Sequence, residues 1–206
     1  MLNVDVLRKT TRRQRLGILT VSAGLFSVCT FLLLQNVIAS EVSSGTPPLP
    51  LVVEAEQIGI PVHIKISSIA LDAPIEQVGL TTTGAMDVPK DPQNAGWYQL
   101  GARPGQAGSA AIAGHVDWWD NTTGVFADLD QVRPGDAITI QDASGKDIVF
   151  IVRELRKFDP TADSTEVFSS NDGLAHLSLI TCTGTWNKKA RQYNERLIVF
   201  AVRVEE

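Results

Sequence analysis

One cysteine stands apart in this sequence. Cys182 closes the hydrophobic run of "LSLITCTGTW", Leu177 to Trp186, just before a Thr-Gly turn signal. A thiol in such a place is either a small buried hydrophobe or a nucleophile. As a nucleophile it needs a proton acceptor, because a free thiol with a pKa of about 8.5 is mostly protonated at neutral pH. Three histidines are on offer. His63 lies early in the alternating "PVHIKI" and reads as a solvent-face residue. His176 opens the strand that Cys182 ends, about 20 Å away along an extended chain, too far to touch the sulfur. His115 follows "SAAIAG", a small and apolar run that reads as a core strand, and precedes the polar-aromatic "VDWWDNT". A strand-end His can meet a strand-end Cys from a neighbouring element. The alternative is a structural His fixed by Asp117 or by a backbone carbonyl.

The third candidate comes from the last hairpin. With "LSLITC" and "RLIVFA" as antiparallel neighbours, Thr183 to Glu195 is the connecting loop, and Cys182 and Arg196 lie at the same end. Adjacent strands are about 4.8 Å apart, so the guanidinium reaches the space beside the sulfur. A fixed positive charge there favours thiolate and can hold a developing oxyanion. The alternative is a strand-edge Arg paired with Glu195. Thr181 either orients a substrate or satisfies the strand end. Trp118, Trp119 and Trp186 sit in flanking loops, where they line a peptide groove or pack on their own barrel. A metal held by His115, Asp117 and Cys182 is conceivable, but three loose ligands without supporting partners make a poor site.

The elements that must position these residues are mostly strands. "HIKISSI" and "AITIQD" alternate apolar and polar residues, "DIVFIVREL" is nearly continuous apolar sequence, and "RLIVFAVRV" reads as a long closing strand. Turn signals separate them: "RPGD", "ASGK" and "GARPGQAGS". Helical signals are short: two turns over Gly124 to Val132, and one in "STEVFSS". Many short strands with few helices make an all-β barrel or sandwich, and the apolar final strands favour the barrel.

Charge divides the 206 residues unevenly. Residues 1–40 carry Arg8, Lys9, Arg12, Arg13 and Arg15 against Asp5 alone; the 13 basic and 22 acidic residues that follow leave a net −9. So acidic a domain is a poor match for phosphate backbones, which disfavours nucleic acid as a partner. Leu16 to Ala39 contains no charged residue and is long enough to cross a hydrocarbon core of about 30 Å. The basic cluster ahead of it stays cytoplasmic and sends the C-terminal bulk outside. Val37-Ile38-Ala39 loosely resembles a signal-peptidase site, yet the apolar region is much longer than a signal peptide's. The expected organisation is a basic cytoplasmic segment over 1–15, a transmembrane signal anchor over 16–39, a Ser/Gly/Pro-rich extracellular linker over 40–57 and one domain over 58–206. Cys29 lies within the anchor, so Cys182 has no intrachain disulfide partner in the exported domain. A leftover cysteine there points to a reactive thiol or an intermolecular bridge.

Taken in order, "IPVHIKISSIALDAPI", "GAMDVPKDPQNAGWY", "RPGQAGSAAIAGHVD", "GVFADLDQVRPGD", "LSLITCTG" and "ERLIVFA" resemble the sortase family, in particular the single-domain sortases grouped as class E or F. The resemblance runs from about Ile60 onward and rests on the order His, Cys, Arg, with Leu179-Ile180-Thr181-Cys182 as the T-x-T-C type signature. It implies an eight-stranded barrel with Cys182, His115 and Arg196 at its rim, and a signal anchor on a Gram-positive cell membrane. It further implies a cysteine transpeptidase that cuts an LPxTG-type motif in exported proteins and passes the acyl group to an amine of a cell-wall precursor or a pilin lysine. No cofactor is implied. Calcium-dependent members place carboxylates ahead of the His; Pro92 to Gly114 holds no Asp or Glu, so no calcium requirement is expected. The loop "TGTWNKKARQY" is a variant of its own and offers Arg191 as a second arginine. In some class F-like relatives the arginine lies two residues nearer the tyrosine, a shift that keeps the same strand face; Arg196 is retained. An L,D-transpeptidase would carry His just before Cys, where Thr181 stands, and a papain-like protease would reverse the order. The non-enzymatic alternative is a membrane-anchored binding barrel with Cys182 buried.

Overall fold

The computed structural model describes residues 56–204. The expected segments 1–15 and 16–39, and all of the linker but its last residues, lie outside the described residues; among the described ones no helix is long and apolar enough to cross a membrane. Eight strands follow in chain order: β1 (Pro61–Ile66), β2 (Leu71–Val78), β3 (Ala95–Tyr98), β4 (Gly108–Ala113), β5 (Ala137–Asp142), β6 (Asp147–Phe158), β7 (Ala175–Asn187) and β8 (Gln192–Arg203). They close into a barrel in the order β1-β2-β3-β4-β7-β8-β6-β5, with β5 returning to β1. The pairs β2–β3 and β4–β7 are parallel and the others antiparallel.

Side-chain alternation sorts the apolar residues into two layers. One set fills the barrel: Ile64 and Ile66 of β1, Trp97 of β3, Ile112 of β4, Ile138 and Ile140 of β5, Phe150 of β6, Leu177 and Leu179 of β7, and Leu197 and Val199 of β8. The opposite parity on β4, β7 and β8 supplies a second cluster on the outer face, where Ala111, Ala113, Ile180 and Ile198 are covered by Met86, Val167 and Phe168. Val167 and Phe168 belong to the one-turn helix α1 (Thr165–Phe168), the turn expected in "STEVFSS". Its start is held by Asp163, whose carboxylate accepts from the Thr165 N–H (2.9 Å) and hydroxyl (2.6 Å). Arg156 Nη2 ties it to the barrel through Glu166 Oε2 at 2.5 Å.

The expected two-turn helix over Gly124 to Val132 is instead a run of turns ending in a single 3₁₀ turn, Leu129–Gln131. Phe126, Leu129 and Val132 are all fully buried. A spacing of three brings side chains into line at three residues per turn, the 3₁₀ repeat and not the α-helical one. The closing hairpin also differs. The expected loop, Thr183 to Glu195, is largely strand: the ladder continues to Asn187 and Gln192, with a register irregularity between Thr183 and Trp186.

Candidate active site

β4 leaves the barrel through Gly114, and the next residue is His115. Gly114 is pinned to β7 on both sides of its peptide plane. Its N–H donates to the Ile180 carbonyl at 3.0 Å, and its own carbonyl accepts the Thr181 hydroxyl at 2.9 Å. A side chain at Gly114 would run into Phe126, 2.4 Å from an ideal Cβ. The His115 carbonyl accepts from the Phe126 N–H at 2.9 Å, and Gly124 packs so tightly here that a Cβ would stand 2.2 Å from that oxygen. The ring is set separately. Nε2 lies 2.9 Å from the Pro89 carbonyl, which can only accept, so Nε2 carries a hydrogen and Nδ1 is left as the basic nitrogen of the neutral imidazole. The Trp118 ring stands edge-on to it, centroids 4.7 Å apart at 74°.

Cys182 and Arg196 are direct cross-strand partners in the β7–β8 ladder. Cys182 shares its strand face with Ile180, and Arg196 shares its face with Ile198, so both point outward over the second apolar cluster. They therefore sit on the outer wall of the barrel, not on its rim. The reason is that β7 continues past Cys182 where the sequence suggests a loop. Cys182 is half-buried and carries a free thiol. Arg196 is only 5% exposed, and its Nη1 donates to the Tyr193 and Glu195 carbonyls at 3.1 and 3.0 Å. The Glu195 carboxylate pairs instead with Lys157, at 3.6 Å. Two backbone bonds from Nη1 anchor the guanidinium on the strand opposite Cys182 and leave its Nε and Nη2 hydrogens without a partner among the described residues.

His115, Thr181, Cys182 and Arg196 line one groove of about 670 Å³. Met86, Phe168 and Ile180 form its apolar floor, and Trp186, Arg191 and Tyr193 of the hairpin border it. Arg191 is at the hairpin tip with φ 53°, away from the register position opposite the thiol. Thr181 is buried and its hydroxyl is spent on Gly114. Asp117 and Trp118 are not among the residues lining the groove, and Trp119 is 84% exposed. Asp117 accepts from the Tyr193 hydroxyl at 2.5 Å. That bond, with burial and the charges of Asp117 and Cys182, pushes the Tyr193 phenol up to about 12. Among the described residues no three His, Cys, Asp or Glu side chains converge as metal ligands. His63 is bonded to Asp72, and His176 lies 2.8 Å from Asp172, both remote from the groove. Tyr193 and Phe168 are site residues that pattern reading misses. The only trace of Tyr193 is its place three residues before Arg196.

Known proteins share this fold. The Sortase domain family model matches residues 64–204, most of the chain. Among solved structures, a lid mutant of sortase A from Corynebacterium diphtheriae is 25% identical over 74% of this chain and 74% of that one, with a TM-score of 0.56. Sortase C-1 from Actinomyces oris is 23% identical over 71% and 76%, also at 0.56. Sortase C from Clostridium perfringens is 21% identical over 73% of each chain, at 0.54. No curated protein matches the chain. The chain belongs to the sortase family, and its eight-stranded barrel is a domain of the sortase transpeptidase type.

Proposed function

We propose that this protein is a cell-surface cysteine transpeptidase with Cys182 as nucleophile, His115 as general acid and base, and Arg196 as oxyanion stabiliser. The observation that carries the reading is the cross-strand pairing of Cys182 with a buried, backbone-held Arg196 in a groove whose other wall presents His115. Cys182 thiolate attacks the threonine carbonyl of an LPxTG-type motif. The C–N bond to glycine breaks, the departing amine takes its proton from His115, and the acyl group stays on sulfur as a thioester. An incoming amine then gives a proton to His115 and attacks the thioester, releasing the thiolate. With Nε2 committed to Pro89, Nδ1 is the nitrogen that carries the transferred proton. The oxyanion of each tetrahedral intermediate is held by the Arg196 hydrogens that the backbone leaves free.

The amine belongs to a cell-wall precursor or a pilin lysine. The uncharged run Leu16 to Ala39 retains the enzyme in the cell membrane with its N-terminus cytoplasmic and the barrel outside, where exported substrates emerge. The motifs between Ile60 and Arg196 favour the single-domain class E or F group.

The test is ligation of a sorting-motif peptide to an amine, with the thioester followed by mass spectrometry. Thioester on Cys182 and ligated product are expected, both lost in Cys182→Ala. Arg196→Lys keeps the charge but not the planar fork and should slow acylation about a hundredfold. Absence of any adduct across a panel of motif variants rejects the reading.

A further inference from the structure

The segment that leaves His115 is a small hairpin of its own. Asp117 pairs with Thr123, the Trp118 N–H donates to the Thr122 carbonyl at 2.9 Å, and Asn121 takes the left-handed conformation at the tip, φ 66°. This hairpin carries the Trp118 ring that stands against the imidazole. The β7–β8 hairpin carries Cys182 and Arg196 into the same groove. Among the described residues a single side-chain hydrogen bond joins the two hairpins, from the Tyr193 hydroxyl to Asp117 Oδ2. Tyr193 is braced from its other side by its cross-strand partner Trp186, rings 5.3 Å apart at 68°.

We propose that Tyr193, braced by Trp186 and bonded to Asp117, is the positioning residue that holds the His115 loop to the β7–β8 hairpin and so keeps the imidazole in reach of the Cys182 thiol. This rests on the reading that His115 and Cys182 react together. The backbone bonds of Gly114 and His115 fix the base of the side chain, and the Pro89 carbonyl holds Nε2 at 2.9 Å. The outer face of the ring is set by Trp118, which rides on a loop whose residues Asp117, Trp119, Asp120 and Asn121 are all exposed. A tyrosine suits this position because it is rigid, with two side-chain torsions, and spans the gap without adding charge beside the thiolate. Its proton faces a carboxylate, so the bond joins a donor to an ionised acceptor, the stronger kind.

The experiment compares the full chain with Tyr193→Phe, Asp117→Ala, the double variant and Asp117→Asn, by hydrogen exchange and by single-turnover thioester formation with a sorting-motif peptide. Tyr193→Phe and Asp117→Ala should each speed exchange over residues 116–123 about tenfold while the barrel strands are unchanged. Each should lower the maximal acylation rate about ten- to a hundredfold at an unchanged half-saturating peptide concentration. The double variant should be no worse than either single one, because both remove the same bond. Asp117→Asn keeps an accepting oxygen but not its charge, and should fall between wild type and Asp117→Ala. Unchanged exchange in Tyr193→Phe, losses that multiply in the double variant, or a change in half-saturation alone overturns the proposal. If the wild-type chain forms no thioester, the catalytic reading fails, and the exchange data alone decide whether the two hairpins are latched.

Discussion

Replacing Gly124 by alanine drives a methyl group onto the His115 carbonyl, a backbone atom with no torsion free to yield. The expected result is a loss of about 1–3 kcal/mol in stability, read by denaturant melts, with a larger fall in acylation because the shift falls on the proposed general base. Asp172 makes a prediction about pH. Bonds from the Leu174 N–H, the Ser170 hydroxyl and His176 hold its carboxyl down to about 2, from an ordinary value of 3.8. The folded-state pKa is depressed, so its stabilisation is complete above about pH 4 and vanishes as pH falls towards 2. A thermal melt series should show that loss in wild type, and Asp172→Asn should flatten it. Three residues singled out in the sequence, a thiol, a histidine just past a strand and an arginine on the facing strand, line one groove in the structure. Tyr193 was missed because the partner that gives it meaning, Asp117, is 76 residues away.

The elements were legible in proportion to how cleanly they alternate. β4, β5 and the ends of β7 and β8 follow from period-two or continuous apolar runs. β2 contains Pro74, and β3 has only four residues with a glycine among them, so neither presents a pattern longer than chance. The continuation of β7 and β8 past Cys182 and Arg196 was hidden by polar residues, because an exposed hairpin has no buried face to betray it. α1 matters more than its length suggests. Phe168 is buried on the outer wall, edge-to-face with Tyr98 at 5.6 Å, and also floors the groove. Phe168→Ala should cost about 3 kcal/mol of stability and weaken peptide binding, seen as a raised half-saturating concentration in the acylation assay.

At the scale of the whole chain, sequence composition separates a basic, apolar N-terminal part from an acidic barrel, and in the proposed enzyme the first tethers what the second catalyses. Deleting residues 1–39 should leave acylation of a soluble peptide by the barrel unchanged. It should sharply reduce processing of exported substrates on cells, because tethering to one surface supplies an effective concentration that free diffusion does not. A pulse-labelled surface substrate, followed in cells carrying either form, measures the difference.

Strand order has one more consequence. β8 is the last of the eight strands to be synthesised, yet it lies inside the sheet between β7 and β6, and it alone brings the arginine to the cysteine. A chain emerging from its N-terminal end cannot close the cylinder or set Arg196 opposite Cys182 until that final stretch has arrived. In the proposed enzyme the thiol thus travels unarmed until β8 is in place.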